Sequence, residues 1–381
     1  MALSLRSRQA RRTILTLAIA ASTLSIAGCQ RGAPYRPVGP QPVESGQQAV
    51  RHHIALIIPL SGPDGGIGTS IMNAANLALL DTAANDLRLT TIDSSQIGAA
   101  AAAERAIAGG AELILGPLLS DDVRAIAPVA RRARVPVIAF SNDTGVAGNG
   151  VYILGITPAQ SIDRVVRYTR AQGAARYGAL VPTGLYGQRA SQALIGSLRA
   201  SQGALVAMQT YDRAPAAVRG AAIALNARAN YDAVLIADSG RTAASAAPVI
   251  EAGPRLIGTE LWANDRDLGQ VKRMRGALYA APPEARFGQL VTRYRARYGK
   301  TPYRLGSLGY DAVLLTVRAA RSWPVGRPFP AKALMDRDGF AGVDGIFRFG
   351  KDGSAERALE VRQVTEKGTA VVSPAPSGFD N

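Results

Sequence analysis

The sequence contains a single cysteine, Cys29, in 381 residues. This scarcity excludes a disulfide within the chain and a metal site built from cysteines. Only two histidines are present, His52 and His53, and because they are adjacent their side chains point to opposite faces of an extended segment. Such a pair is poorly placed to bind a metal or to act as a catalytic base. We therefore predict no metal site and no cofactor.

Signatures of catalysis are also missing. No Gly-x-Ser-x-Gly nucleophile elbow, P-loop or paired-carboxylate motif occurs in the chain. The glycine-rich stretch 62–68 does not have the spacing of a dinucleotide fingerprint, and Pro63 removes a backbone amide that a phosphate would need. The sequence therefore predicts a protein that is not an enzyme.

Charged residues are few and unbalanced, at 19% of the chain with a formal net charge of +16. The cations are nearly all arginines scattered singly through an alanine-rich sequence. They form no dense block and do not alternate with aromatic residues, as they do in single-stranded nucleic-acid binders. We expect no nucleic-acid partner. The 47% hydrophobic content is typical of a globular chain, and the length favours two domains.

Residues 1–28 have the pattern of a targeting signal. An arginine-rich start precedes an apolar run of residues 14–26 that is short for a bilayer span. The run ends in Ile-Ala-Gly followed by Cys29, which resembles the lipobox of bacterial lipoproteins. This resemblance implies cleavage before Cys29 and attachment of lipid to it. An ordinary secretory signal with an incidental cysteine is the alternative.

Residues 29–51 are predicted to comprise the lipidated cysteine and a tether that contains four prolines between positions 34 and 42. Several acyl chains on one residue give durable membrane anchoring. The residue after the cysteine is Gln30 and not Asp, which under the best-known lipoprotein sorting rule implies the outer membrane. We expect a protein anchored by its N-terminal lipid to the outer membrane and facing the periplasm.

Strands and helices alternate from residue 52 onward. Residues 53–59 form a short apolar run rich in β-branched residues, typical of a strand buried on both faces of a parallel sheet. A turn rich in glycine and proline and an amphipathic helix follow. The unit repeats to about residue 153, and the pattern restarts at residue 161. The alternation predicts an α/β fold with parallel sheets, which bind ligands at the carboxyl ends of their strands.

The order of several motifs resembles the type I periplasmic binding proteins. These motifs are Leu60-Ser61-Gly62 after the first strand, Gly116-Pro117 after the third, Tyr186-Gly187, Ile257-Gly258-Thr259-Glu260, and Leu308-Gly309-Tyr310-Asp311. The resemblance covers residues 53–366. It implies two Rossmann-like lobes that are joined by three crossover segments and that hold a ligand in the cleft between them.

The resemblance also implies domain boundaries. The first lobe would comprise residues 52–153 plus 281–325, and the second lobe residues 154–280 plus 326–372. The crossings would lie near Leu154, Tyr279 and Trp323. Residues 373–381 would form a disordered tail.

Within this family, the sequence resembles the lipoprotein penicillin-binding protein activators. The motifs that carry this resemblance are Leu115-Gly116-Pro117-Leu118, Ala139-Phe140-Ser141-Asn142-Asp143 and the lipobox. They imply a non-catalytic protein whose partner is a penicillin-binding protein, the peptidoglycan synthase that it stimulates. Better-known members carry a helical-repeat domain in the place that the tether occupies here. The alternative is a solute-binding receptor of an ABC importer for branched-chain or other amino acids.

A receptor of this kind would hold a small ligand, such as an amino acid or a muropeptide, in its cleft. The candidate cleft residues are Ser61, Ser120 and Ser141 in the first lobe and Tyr186, Asp238 and Glu260 in the second. Hydroxyls and helix-start amides suit a carboxylate, and an acidic residue opposite suits an ammonium. Amino-acid receptors of the family usually offer adjacent hydroxyls after the third strand, whereas Leu118 and Leu119 precede Ser120 here. Ser120 has the alternative role of capping the next helix, and Tyr186 that of a packed surface residue.

Overall fold

The computed structural model describes residues 51–228 and 230–379. The predicted signal segment, Cys29 and the tether up to residue 50 lie outside the described residues, so those expectations stay predictions. Within the described part, the chain folds into two sheets of mainly parallel strands with intervening helices, which confirms the predicted α/β fold class. None of the described helices has the length and apolar character needed to cross a bilayer.

Five parallel strands form the first sheet: β1 (His52–Ile58), β2 (Leu87–Asp93), β3 (Leu113–Leu115), β4 (Val137–Ala139) and β5 (Val151–Ile153). Their order across the sheet is β2-β1-β3-β4-β5. The strand β1 reads as a continuous apolar run because both of its faces are covered. Ile54, Leu56 and Ile58 pack on one side of the sheet, and Ala55 and Ile57 pack on the other. The prediction of a strand buried on both faces is confirmed.

The second sheet begins with five parallel strands: β6 (Arg176–Pro182), β7 (Ala204–Tyr211), β8 (Ala233–Ile236), β9 (Arg255–Gly258) and β10 (Leu278–Ala281). A small antiparallel sheet follows in the chain, with β11 (Phe340–Gly342), β12 (Gly345–Phe349) and β13 (Ala355–Arg357). The chain then returns to the second sheet through β14 (Glu360–Thr365) and β15 (Gly368–Ser373), which are antiparallel to their neighbours. The final order is β15-β14-β10-β9-β8-β6-β7.

The helices cover the faces of these sheets. They are α1 (Gly65–Thr82), α2 (Ser94–Ile97), α3 (Ala99–Ala108), α4 (Ser120–Ala133), α5 (Pro158–Ala171), α6 (Leu185–Ala200), α7 (Pro215–Asn226), α8 (Gly240–Ala246), α9 (Ala285–Tyr298) and α10 (Gly306–Ala320). A capping box starts α5, because Thr157 Oγ1 accepts from the Gln160 amide and the Gln160 side chain accepts from the Thr157 amide. The helices α1 and α10 pack so closely that a Cβ on Gly309 would lie 2.4 Å from the carbonyl oxygen of Ile71. Only glycine fits at that contact.

The third crossing between the sheets differs from the expected position. Trp323, Phe347 and Ala355 all lie in the core cluster that covers one face of the first sheet, whereas Leu359 packs in the core of the second sheet. The chain therefore crosses between residues 355 and 359 and not near Trp323, because the phenylalanine side chains that follow Trp323 are buried in the same core cluster of the first lobe. The division into lobes stays a proposal, in which we now place residues 326–355 with the first lobe.

The first and third crossings run side by side. The amide of Ile153 donates to the carbonyl oxygen of Gly353 at 2.8 Å. Arg357 Nη2 donates to the carbonyl oxygen of Leu154 at 2.9 Å, and both groups are buried. The segments that join the lobes therefore support each other directly.

The segment that follows β15 also differs from the expected disordered tail. Arg164 Nη2 on α5 donates to Ser373 Oγ at 2.6 Å and to the carbonyl oxygen of Pro374 at 3.2 Å. The guanidinium of Arg348 on β12 lies over the ring of Phe379, 4.6 Å from its centroid. Residues 373–379 thus connect the second lobe to the small sheet that packs on the first.

Candidate functional site

The carboxyl ends of the parallel strands collect the predicted polar residues at the edges of the two sheets. In the first lobe, Ser61 follows β1, Ser120 follows β3 and Ser141 follows β4; in the second, Tyr186 follows β6, Asp238 follows β8 and Glu260 follows β9. The two edges adjoin, because residues from loops on both of them line one cavity. The structure places all six candidates at the carboxyl edges of the two sheets, but their contacts differ.

Ser61 and Ser120 form hydrogen bonds within the first lobe. Ser61 is exposed, and its Oγ lies 2.7 Å from Ser95 Oγ. Ser120 is the first residue of α4, and the cap position falls on Leu119, which forms no side-chain cap. The alternative that Ser120 caps the helix is therefore wrong, because the helix starts one residue earlier than that role requires. Its hydroxyl instead accepts from Arg124 Nη1 at 3.4 Å.

A buried carboxylate beside Ser141 joins the two lobes. Ser141 Oγ accepts from the amide of Asp143 at 3.1 Å, and Asp143 is 2% exposed. Asp143 Oδ2 accepts from Arg124 Nη2 at 2.8 Å, and Asp143 Oδ1 accepts from the amide of Gly145 at 2.9 Å. Asp143 Oδ1 also accepts from Arg189 Nε at 2.8 Å. Since Arg189 lies on α6, this ion pair connects a first-lobe loop to a second-lobe helix.

Tyr186 and Glu260 bond to each other and to their own lobe. Tyr186 Oη donates to Thr259 Oγ1 at 2.9 Å and lies 3.1 Å from Glu260 Oε1. The other carboxyl oxygen of Glu260 accepts from the hydroxyl of Ser161 on α5. The hydrogen-bonding groups of this predicted ligand site are therefore largely occupied by the protein itself.

Burial changes the acidity of both groups. It raises the pKa of Glu260, although the hydrogen bonds from Ser161 and Tyr186 oppose this change. It also raises the pKa of Tyr186 well above its usual value, and the neighbouring Glu260 carboxyl adds to the effect. The site thus disfavours the ionised form of Glu260, which is the form that an ammonium ligand would require.

Asp238 is paired within the second lobe. Its Oδ2 accepts from Tyr211 Oη at 3.1 Å and from Arg213 Nε at 3.2 Å. Its Oδ1 accepts from the amide of Ser239 at 2.7 Å. Burial, followed by the charge of this carboxylate, raises the pKa of Tyr211. Both carboxylate oxygens of Asp238 therefore have protein partners. A ligand contact of Asp238 stays a prediction.

A cavity of about 290 Å³ lies between the lobes. Its lining is mainly apolar and includes Ile67, Leu118, Leu119 and Phe140 from the first lobe and Ile156 and Leu261 from the second. Of the six predicted residues, all of which the structure describes, Glu260 lines this cavity and the other five do not. The apolar part of the lining is suited to hydrocarbon groups. The polar side chains that also line the cavity are Asp64, Asn142, Glu260, Asn264 and Arg304.

Sequence reasoning missed two arginines at the cleft. Arg189 carries the ion pair between the lobes. Arg304 lines the cavity, is bonded through Nη1 to Ser307 and Asp344, and lies 4.1 Å from the ring centroid of Phe287. No local signal could have found the first pair, because 46 positions separate Arg189 from its partner. Arg304 lies just before the motif that begins at Leu308, at a position to which the resemblance assigns no residue type.

The sequence matches the model of the family described as periplasmic binding protein over residues 52–369. The chain belongs to the periplasmic binding protein family. A curated relative, an uncharacterized protein of Rickettsia prowazekii (strain Madrid E), is 27% identical over 169 residues, and the match covers 44% of this chain and 45% of that protein. The chain therefore matches less than half the length of this relative.

Solved structures of two kinds are similar to this family member. Leucine binding protein LivK from Thermotoga maritima has a TM-score of 0.63 and 22% identity, with coverage of 85% of this chain and 98% of that chain. The C-domain of LpoA from Haemophilus influenzae, described as a regulator of PBP1A, has a TM-score of 0.66 and 19% identity, with coverage of 84% and 99%. Full-length LpoA from the same organism has a TM-score of 0.66 and 20% identity, with coverage of 86% and 60%. At these identities the similarity establishes the fold.

Proposed function

We propose that this periplasmic binding protein is a non-catalytic envelope protein that binds and stimulates a peptidoglycan synthase, as a penicillin-binding protein activator. The observation that carries the proposal is the cleft. On the first-lobe side, Leu118 and Leu119 line the cavity at the position where amino-acid receptors of the family usually offer adjacent hydroxyls. On the second-lobe side, Tyr186 and Glu260 bond to each other. The similarity to the LpoA C-domain, which covers 99% of that domain, supports the same assignment.

Contacts between the lobes further support a docking role. A receptor that delivers a solute must open and close around it, so its lobes are joined by a hinge that moves freely. Here the buried Asp143 pairs with Arg189 across the cleft. The contacts of residues 373–379 with Arg164 and Arg348 link the lobes a second time. These contacts favour a scaffold of fixed shape, which suits recognition of a protein surface.

The location that we propose is the outer membrane, facing the periplasm. The anchor would be lipid on Cys29, and the proline-rich tether up to residue 51 would carry the lobes away from the bilayer. A synthase partner would then contact a lobe surface, with no chemistry performed by this chain.

The test combines a synthase assay with calorimetry. Addition of the purified protein to a peptidoglycan synthase should raise its rate of glycan or crosslink formation with no small ligand present. Titration of the protein with leucine, other amino acids and muropeptides should release no binding heat. Absence of stimulation with every synthase of the host would contradict the proposal.

The second candidate is the receptor of an ABC importer for amino acids. The cavity of about 290 Å³ between the lobes favours it, because apolar side chains of an amino acid would fit the lining. The similarity to a leucine binding protein over 85% of this chain also supports it. Micromolar binding of leucine or a related amino acid in the same titration would select this candidate over the activator.

A further inference from the structure

A second cavity lies beside the outer strand of the first sheet. It measures about 310 Å³ and has β2 as its floor and α2 and α3 as its wall. Arg88, Thr90 and Ile92 line it from β2, and Arg105 and Gly109 line it from α3. We call this cavity the β2 groove. The buried side chains of α3 are alanines that pack over Ala55 and Ile57, and the face of β2 beyond them is left open.

The wall of the β2 groove is held in place by His53. One ring nitrogen, Nδ1, lies 2.7 Å from the carbonyl oxygen of Gly109 at the end of α3. The other, Nε2, lies 2.8 Å from Thr90 Oγ1 on β2. The histidine thus bridges the helix and the strand, so the groove keeps its shape without an occupant.

Two arginines give the groove a positive end. Across residues 51–228 and 230–379, Arg88 and Arg105 have no side-chain hydrogen bond or ion pair, while most arginines near the cleft are paired. The carboxylate of Asp93 lies at the other end of β2 and already accepts from the amides of Leu60 and Ser95. Asp93 also lines the groove, so the positive charge is confined to the part formed by Arg88 and Arg105. That part of the groove is suited to carboxylate groups.

The strand β2 also has an open side. It is the first strand in the sheet order, with β1 as its single neighbour among the described strands. The amide of His52 donates to the carbonyl oxygen of Asp86, and in a parallel ladder every second residue bonds to the neighbouring strand. Leu89 and Thr91 therefore direct their backbone amides and carbonyl groups away from β1. These groups can pair with an added strand.

We propose that the β2 groove binds an extended acidic segment of a partner protein, which adds to β2 as a further strand and places its carboxylates on Arg88 and Arg105. Alternate residues of a strand share one face, so acidic residues at every second position would all face the groove. Charge at an edge strand also protects against self-association. That protective role would explain Arg88 on the edge strand, but it would not explain Arg105 on α3 or the groove between them. That the partner is a synthase rests on the proposed function.

The direct test is fluorescence anisotropy with the full-length chain in detergent micelles. The probe is a labelled hexapeptide of alternating threonine and glutamate, and the control probe has lysine in place of glutamate. We expect saturable binding of the acidic probe that weakens with salt, and no binding of the lysine probe. Binding of the lysine probe with equal affinity would overturn the proposal. Displacement of the labelled probe by free glutarate at the same concentration as by the unlabelled peptide would also overturn the proposal. The groove would then be a site for small anions.

Three variants locate the probe. Arg88→Gln and Arg105→Gln should each weaken binding about tenfold, as loss of one charge-assisted hydrogen bond implies. Arg132→Gln, at an exposed position on α4, makes the same charge change away from the groove and should leave binding unchanged. Equal weakening in all three variants would indicate net charge alone and would contradict the groove.

Thr91→Pro tests strand addition, because proline removes an outward amide and is tolerated on edge strands. The variant should retain the melting temperature of the native chain within a few degrees and should lose probe binding. Probe binding at native affinity in a folded Thr91→Pro protein would refute the added strand. Stimulation of a synthase without probe binding would overturn the groove inference and leave the proposed function standing. Probe binding without stimulation of any synthase would support the groove inference and contradict the proposed function.

Discussion

The ion pair between Asp143 and Arg189 leads to a prediction about the distance between the lobes. Arg189→Ala removes the second-lobe partner of a carboxylate that is 2% exposed. Asp143 keeps its bonds to Arg124 and to the amide of Gly145, so the variant does not leave a bare buried charge. We therefore expect a loss of about 2 kcal/mol, which is within the range of a charge-assisted hydrogen bond. That loss would raise the ratio of open to closed molecules about thirtyfold.

Pulsed electron paramagnetic resonance measures the distance between two spin labels, one on each lobe. The sequence after Cys29 has no cysteine, so spin labels can be placed at will in a fragment of residues 30–381. Glu104→Cys on α3 and Arg199→Cys on α6 put one label on each lobe at exposed positions. Arg189→Ala should add a population at longer distance and lower the melting temperature by about 4 °C.

The matched control is Arg167→Ala. It removes an exposed ion pair with Asp163 within α5, which spans no cleft and contributes about 0.5 kcal/mol or less. The control should leave the distance distribution unchanged. An unchanged distribution in Arg189→Ala, or an equal change in the control, would refute the inference that this pair holds the lobes together.

Three further predictions concern the buried acid, a tight glycine and the anchor. Burial and a neighbouring carboxylate raise the pKa of Asp311 from 3.8 to about 7, so its contribution to stability is full below about pH 4 and is lost as the pH rises through about 7. Melting temperatures measured from pH 4 to 8 should therefore fall for the native chain and fall less for Asp311→Asn; parallel curves would count against this assignment. Gly258→Ala would place a Cβ 2.1 Å from the ring of Trp262 and should cost about 3 kcal/mol in urea unfolding, whereas Gly220→Ala, with open space around it on α7, should be neutral or slightly stabilising. Cys29→Ala should release the protein from membranes on fractionation, and continued membrane association would exclude a lipid anchor.

The chain is similar in fold both to a solute-binding protein and to a regulator of PBP1A. A choice between these two functions therefore depends on the chemistry of the cleft. A fold of two lobes serves both solute receptors and regulators, so the fold alone does not select a function. Our proposal of a regulator rests on the apolar residues that line the cavity and on the hydrogen bonds that pair the predicted polar groups. A zwitterionic ligand needs groups that are free to replace its hydration, and Tyr186, Asp238 and Glu260 are already bonded within the protein.

The sequence by itself determined the features that depend on local patterns. Alternation of apolar runs and amphipathic segments predicted the α/β class, and the run at residues 53–59 predicted a strand buried on both faces. Motifs at strand ends predicted that the six candidate residues follow the carboxyl ends of strands, where the structure has them. These features follow from chain periodicity and turn chemistry, which each segment carries in its own residues.

Only the tertiary structure decided which of these side chains are free. It paired Asp143 with Arg189 across the cleft and placed Trp323 in the core of the first lobe. It also made Ser120 the first residue of α4, with Leu119 at the cap position, and attached residues 373–379 to Arg164 and Arg348. Each of these outcomes depends on how helices and loops distant in the chain pack together. No local pattern encodes such packing, because a charged or aromatic side chain has the same local preference whether its partner is near or absent.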